Sequence, residues 1–230
     1  MKALINEIIA ELFESKTGIP VIPLKPYNKL DLPVSAHADM LFCVLGDKIF
    51  CYKDYVLDNN LLDELTGSGK GVVFVEKECN PKYPGDVGLN VLIMGKSIFC
   101  NIKHTAKEIL EYAKECNYEI YDVKQGYSSC STLVLDANYA VTSDPSIYKA
   151  IIKAGKNVLI IDDNNIKLDG YECGFIGGGS GVLGKDVFVF GDITTLQNGK
   201  NIYEFIHNLE FNILHVLSGE VYDFGGIKFI

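Results

Sequence analysis

The chain has 230 residues, 48% of them hydrophobic, and a formal net charge of -9. That is enough apolar material for a substantial core, which excludes wholesale disorder. With no window rich in Lys and Arg, the acidic balance argues against nucleic acid or an anionic membrane as the main partner, and is compatible with a cationic small molecule.

In chain order, the first segment is MKALINEIIAELFESKTG. Leu4, Ile5, Ile8, Ile9, Leu12 and Phe13 fall at helical spacing with Glu7, Glu11 and Glu14 between them. That predicts an amphipathic helix rather than a signal peptide, followed by the strand IPVIPL. No apolar run approaches the roughly 20 residues of a membrane span, so a cytoplasmic protein is expected. A hairpin follows over 34–51, then the helix YVLDNNLLDELTG and the strand GVVFVEK. The seven cysteines (43, 51, 79, 100, 116, 130 and 173) contain no CxxC pair, and several sit in apolar strand runs, as buried reduced thiols do. Their spacing suits no closed zinc site, and neither metal nor cofactor is expected.

The hairpin recurs. CVLGDKIFC at 43–51 matches LIMGKSIFC at 92–100, GVLGKDVFVF at 181–190 repeats the turn and second strand, and LVLDANYAV at 133–141 is a looser copy. A helix and a strand follow each one. After the second hairpin, Thr105 and Glu108 have capping-box spacing ahead of YEIYDV. After the third, Asp144-Pro145 starts a helix that Gly155 stops, and NVLIID follows. After the fourth come IYEFIHNL and NILHVL. Four units of about 40 to 55 residues therefore run from 34 to 218. The C-terminal hairpin GEVYDFGGIKFI lacks a helix after it, and the N-terminal helix and strand lack a hairpin before them. Joined, the two ends make a fifth unit. The expected fold is α/β, a single domain over 1–230 built as a closed ring of five ββαβ units zipped by the termini.

A five-unit ββαβ ring of this kind is similar to the pentein, or guanidino-modifying enzyme, fold, of which the chain resembles a divergent member. That family includes arginine and agmatine deiminases, dimethylarginine hydrolases and amidinotransferases, together with a non-catalytic branch of ribosome anti-association factors. His37-Ala38-Asp39-Met40 resembles the HxD element of the deiminases, which implies an acid/base role for His37 and a guanidinium-gripping role for Asp39. Gly177-Gly178-Gly179 resembles the glycine run that precedes the family's nucleophilic cysteine. Here that run leads to Ser180, and Cys130, in GYSSCSTLV, is the thiol nearest in position.

The strand period of two, registered on the hairpin turns, predicts which residues share the face toward the ring centre. It groups His37, Asp39 and Leu41; Asp86, Gly88 and Asn90; Tyr127, Ser129 and Ser131; Phe175, Gly177 and Gly179. Cys130 falls on the opposite, apolar face. Asp39 and Asp86 are candidates to hold a cation, and His37 is suited to proton transfer. Asn90, Ser129, Ser131, Gly178, Gly179 and Ser180 are candidate ligand contacts. His104, His207 and His215 fall outside this centre. Two function classes stay open. One is a hydrolase or amidinotransferase acting on a guanidine or amidine through Cys130, His37 and Asp39. The other is a non-catalytic protein, either a small-molecule binder or a ribosome or protein-interaction scaffold.

Overall fold

A computed structural model describes residues 1–162 and 165–230. The elements run β1 (Ala3–Asn6), α1 (Glu7–Thr17), β2 (Val21–Leu24), α2 (Ala38–Leu41), β3 (Phe42–Leu45), β4 (Lys48–Cys51), α3 (Lys53–Asp58), α4 (Leu62–Thr66) and β5 (Gly71–Phe74). They continue through β6 (Leu92–Met94), β7 (Ser97–Cys100), α5 (Lys107–Glu115), β8 (Glu119–Asp122), β9 (Thr132–Val134), β10 (Tyr139–Thr142), α6 (Pro145–Lys153) and β11 (Asn157–Ile160). The last are β12 (Ser180–Leu183), β13 (Asp186–Val189), α7 (Gly199–Asn208), β14 (Asn212–His215) and β15 (Lys228–Phe229). No helix among the described residues is long and apolar enough to cross a membrane.

The strands form five three-stranded sheets, ordered β15-β1-β2, β3-β4-β5, β6-β7-β8, β9-β10-β11 and β12-β13-β14. In each, the first pair is antiparallel and the second parallel. This is the expected ring of five ββαβ units. Its inner strands are neighbours across unit boundaries, β6 against β9, β9 against β12 and β15 against β3. Three of the hairpins turn through two residues, at Gly46-Asp47, Gly95-Lys96 and Gly184-Lys185. Each glycine has φ near +60° (59, 59 and 61°), the positive value that a primed hairpin turn requires at its first central position.

The ends close the ring more intimately than the sequence suggests. Leu4 and Ile5 belong to a strand, not to the first helix. β15 pairs with β1 through Ala3↔Phe229 and Leu4↔Lys228, so the fifth hairpin is itself split between the two chain ends. Asn6 then caps α1 by accepting from the Ile8 N–H.

Three further local expectations are corrected. The helix after the first hairpin is two short ones, interrupted at Asn59-Asn60, where Asn60 takes the left-handed φ of 56° that asparagine tolerates. The Thr105/Glu108 capping box does not form. Thr105 donates back to the Asn101 carbonyl, and Glu108 accepts from the Glu76 N–H of the preceding unit. Asp144 does cap α6, accepting from the N–H groups of Ser146 and Ile147.

The third concerns the approach to each inner strand, which is a helical turn rather than an extension of the strand. Leu41 N–H bonds to His37 O, Ser131 N–H to Tyr127 O and Gly179 N–H to Phe175 O, all four residues back, while Asn90 N–H bonds to Val87 O. Ser131 and Ser180 reinforce their turns by donating from their hydroxyls to the carbonyls of Tyr127 and Ile176.

The helix of the closing unit is anchored by Phe13, which is fully buried and packs edge-on against Phe188 of β13 at 5.2 Å. Truncating it by Phe13→Ala should cost about 3–5 kcal/mol. If the ring unfolds as one body, that loss lowers the midpoint of a single urea transition. A separate early transition for the closing unit would contradict cooperative closure.

Candidate functional site

The helical turns bring residues together in a way the strand period does not predict. Asn90, fully buried, is the hub. Its Nδ2 donates to the Asp39 carbonyl at 3.0 Å and to Cys130 Sγ at 2.9 Å, while its Oδ1 accepts from the Ser129 N–H at 2.7 Å. The Ser128 hydroxyl closes the knot by donating to the Asn90 carbonyl. One side chain thus ties the approaches to β3, β6 and β9 to one another.

The C-terminal hairpin supplies the rest. Asp223 is buried and accepts from the Phe175 N–H through Oδ2 and from the Gly225 N–H through Oδ1, each at 2.9 Å. His37 Nδ1 stands 3.7 Å from Asp223 Oδ1. Asp39 is fixed by its own N–H, which donates to the Gly225 carbonyl at 3.0 Å. Two glycines make this packing possible. At Gly225, with φ of 84°, a Cβ would stand 2.2 Å from His37 Cβ. At Gly178 it would stand 2.0 Å from Asp223 Oδ1. The glycine run is therefore a seat for Asp223.

Above this cluster lies a cavity of about 330 Å3 along the ring axis, walled by Val91–Ile93, Thr132–Leu135 and Gly181–Val182, with Gly184 of a hairpin turn at its rim. Asp39, Ser129, Gly177, Ser180, Gly226 and Lys228 also line it. The Lys228 ammonium donates to Ser129 Oγ at 2.8 Å. Both carboxylate oxygens of Asp39 are closed off from bulk water and carry no hydrogen bond.

Of the residues expected from sequence, His37, Asp39, Asn90, Ser129 and Cys130 do converge. Ser180 lines the cavity, but its hydroxyl is committed to its own turn. Ser131 is likewise spent on the Tyr127 carbonyl. Gly178 and Gly179 pack against Asp223 and Val221 and do not reach the cavity wall. Asp86 is drawn aside to the Tyr127 hydroxyl and does not line the cavity with Asp39. Cys130 does not face an apolar layer; its sulfur meets Asn90 and the field of Asp39. The reason is the helical turn, which rotates side chains by about 100° per residue instead of the 180° of a strand. Asp223, Gly225, Gly226 and Lys228 were not foreseen. Their signal was a carboxylate just ahead of an inner strand, the place Asp39 and Asp86 hold in the first two units.

Burial governs the electrostatics. It pushes the Asp39 carboxyl up to about 6; His37 pulls the other way and Asp223 adds to the rise. Burial, and then the charges of Asp39 and Asp223, hold the Cys130 thiol well above its ordinary value. Cys130 is accordingly a thiol at neutral pH in this unliganded form. Among the described residues no group of His, Cys, Asp and Glu is arranged to hold a metal ion.

A family model described as Family of unknown function (DUF6873) matches residues 3–228. The chain belongs to that family. A search among curated proteins finds no match to the sequence. Among solved structures, the chain is similar to DDAH from Pseudomonas aeruginosa, a cysteine-to-serine mutant complexed with citrulline, at TM-score 0.59 and 10% identity, over 97% of this chain and 87% of that one. It is similar to SxtG, an amidinotransferase from Microseira wollei, at TM-score 0.56 and 14% identity, over 88% and 71%. It is also similar to the inosamine-phosphate amidinotransferase StrB1 from Streptomyces griseus, at TM-score 0.53 and 13% identity, over 95% and 75%. These likenesses are of fold: the ring is the pentein, guanidino-modifying type.

Asp39 gives a direct test of the electrostatics. Its folded-state pKa lies above the unfolded value of 3.8, so the stability tied to its acid form is fully present below about pH 4 and is lost as pH rises through about 6. The gap corresponds to about 3 kcal/mol. Asp39→Asn, which mimics the neutral acid, should therefore stabilise the ligand-free protein by up to that amount at pH 8 and hardly at all at pH 4. Urea midpoints across that range check it, and a gain that ignores pH would contradict the assignment.

Proposed function

We propose that the protein binds a small molecule bearing a guanidinium or amidinium group in the cavity at the ring centre, with Asp39 as the partner of the cation. The observation that carries this reading is a buried carboxylate at the cavity whose two oxygens have no hydrogen-bond partner. A buried carboxylate left so is costly, and a planar cation offering two parallel N–H groups would satisfy both oxygens at once. Gly226 bears no side chain to block the approach; a Cβ there would stand 3.9 Å from Asp39 Oδ2. The fold type, shared with amidinotransferases and DDAH, supports the same chemistry.

A second reading, in which Cys130 attacks the bound guanidine or amidine carbon, is favoured by one observation. The Cys130 sulfur is held by Asn90 in the same buried cluster as Asp39 and His37. In a hydrolase or amidinotransferase of this kind His37, paired with Asp223, would protonate the departing amine.

Calorimetric titration with propylguanidine tests the first reading. Binding should weaken at least about ten-fold in Asp39→Asn, the cost of losing charge-assisted bonds. It should also be weaker at pH 5 than at pH 8, because the cation must displace the Asp39 proton. Binding indifferent to both would overturn the reading. Chloroacetamidine labelling separates the second: rapid alkylation of Cys130 ahead of the other six cysteines, slowed in His37→Ala, favours covalent chemistry. Labelling that follows exposure alone leaves a binding protein.

A further inference from the structure

Lys228 is the other charged residue on the cavity wall, and its environment is unusual for this protein. Lys2, Lys29, Lys107 and Lys167 each reach a carboxylate. Lys228 pairs with none among the described residues, although it shares its cavity with Asp39; its hydrogen bond goes to the neutral hydroxyl of Ser129. An ammonium and a carboxylate thus face one small cavity without closing on each other.

The Lys228–Ser129 contact also has a direction. The ammonium donates to the hydroxyl oxygen, which leaves the hydroxyl proton and the remaining ammonium protons free to donate elsewhere. Ser129 is held in place by its backbone N–H, bound to Asn90 Oδ1 at 2.7 Å. Lys228 is held by strand pairing, Leu4↔Lys228. Together they present O–H and N–H donors from two fixed points, an arrangement that suits a carboxylate. Between this pair and Asp39 the wall is largely apolar, with Val91, Ile93, Leu133 and Ile227 contributing.

We infer that the cavity is a zwitterion site, in which Lys228 and Ser129 hold the carboxylate of a ligand whose cationic end rests on Asp39. The inference builds on the Asp39 reading above and adds an anion subsite to it. A ligand with only a cation would bring a second positive charge beside Lys228 and leave that ammonium with a hydroxyl as its partner. A ligand with a charge at each end and a short aliphatic middle completes both groups and matches the apolar wall between them.

Matched probes test this by calorimetry: 3-guanidinopropionate with both charges, propylguanidine with the cation alone and propionate with the anion alone. The wild type should bind 3-guanidinopropionate at least about ten-fold tighter than propylguanidine, the contribution expected of one charge-assisted contact. Lys228→Met should erase that preference while leaving propylguanidine binding unchanged or tighter. Ser129→Ala, which keeps the lysine and perturbs the fold less, should reduce the preference several-fold. Equal binding of the two guanidines by the wild type, or a preference that survives Lys228→Met, would overturn the anion subsite. Propylguanidine binding that still depends on Asp39 would then leave the cation reading standing, whereas no binding of either guanidine would overturn both.

Discussion

The pairing of β15 with β1 is the constraint on which the centre of the molecule depends. It is a short antiparallel contact between the two ends of the chain, with Lys2 and Ile230 exchanging backbone hydrogen bonds beyond the strands themselves. Because the fifth hairpin is split, everything just upstream of β15 is positioned by that contact. Asp223 reaches His37, Gly225 receives the Asp39 N–H, and Lys228 reaches Ser129. Closure costs chain entropy over the whole sequence. What offsets it is the apolar layer of the closing unit, Ala3, Ile5, Ile9, Phe13, Phe188, Phe190 and Ile227, which packs as one cluster.

At the centre, polar groups are buried under a packing so close that two glycines leave no room for a methyl group. Asn90 has both ends of its amide engaged, and Asp223 has two backbone donors. Satisfied groups of this kind fix one geometry. Asp39 departs from the pattern, since its backbone is held while its carboxylate is not. Rigid support around one unsatisfied group is what preorganisation for a ligand looks like in physical terms.

The ring itself was legible because its signals are local and repeated. A glycine with positive φ between two apolar strands recurs three times, and each hairpin leads into a helix and a parallel strand. The site was legible in part. His37, Asp39, Asn90, Ser129 and Cys130 lie where the repeat places them in the chain, but their directions follow a helical turn, which a period of two misreads. Asp86 shows the consequence, since a shared face by alternation became a bond to Tyr127 instead. Asp223 and Lys228 went unseen for a different reason. Their hairpin has no turn in the sequence, since its two strands lie at opposite ends of the chain, so no motif registers them against the other units. The failed capping box at Thr105 has a third cause, tertiary competition: Glu108 bonds to the neighbouring unit.

The coupling between Asp39 and Cys130 limits what chemistry the centre can support. Each disfavours the charge of the other: Asp39 is among the groups that raise the thiol's pKa, and burial opposes ionisation of both. An empty site therefore holds a protonated thiol, inert toward most electrophiles. A cation seated on Asp39 changes the balance at both groups. It stabilises the carboxylate, offsets the field that Asp39 and Asp223 impose on the sulfur, and places positive charge where a thiolate would form. Any nucleophilic role for Cys130 is thus tied to occupancy: the thiol becomes reactive only when the group it would attack, or another cation, is already bound. That dependence would protect a buried cysteine from adventitious alkylation and oxidation. It follows from the burial of two acids side by side.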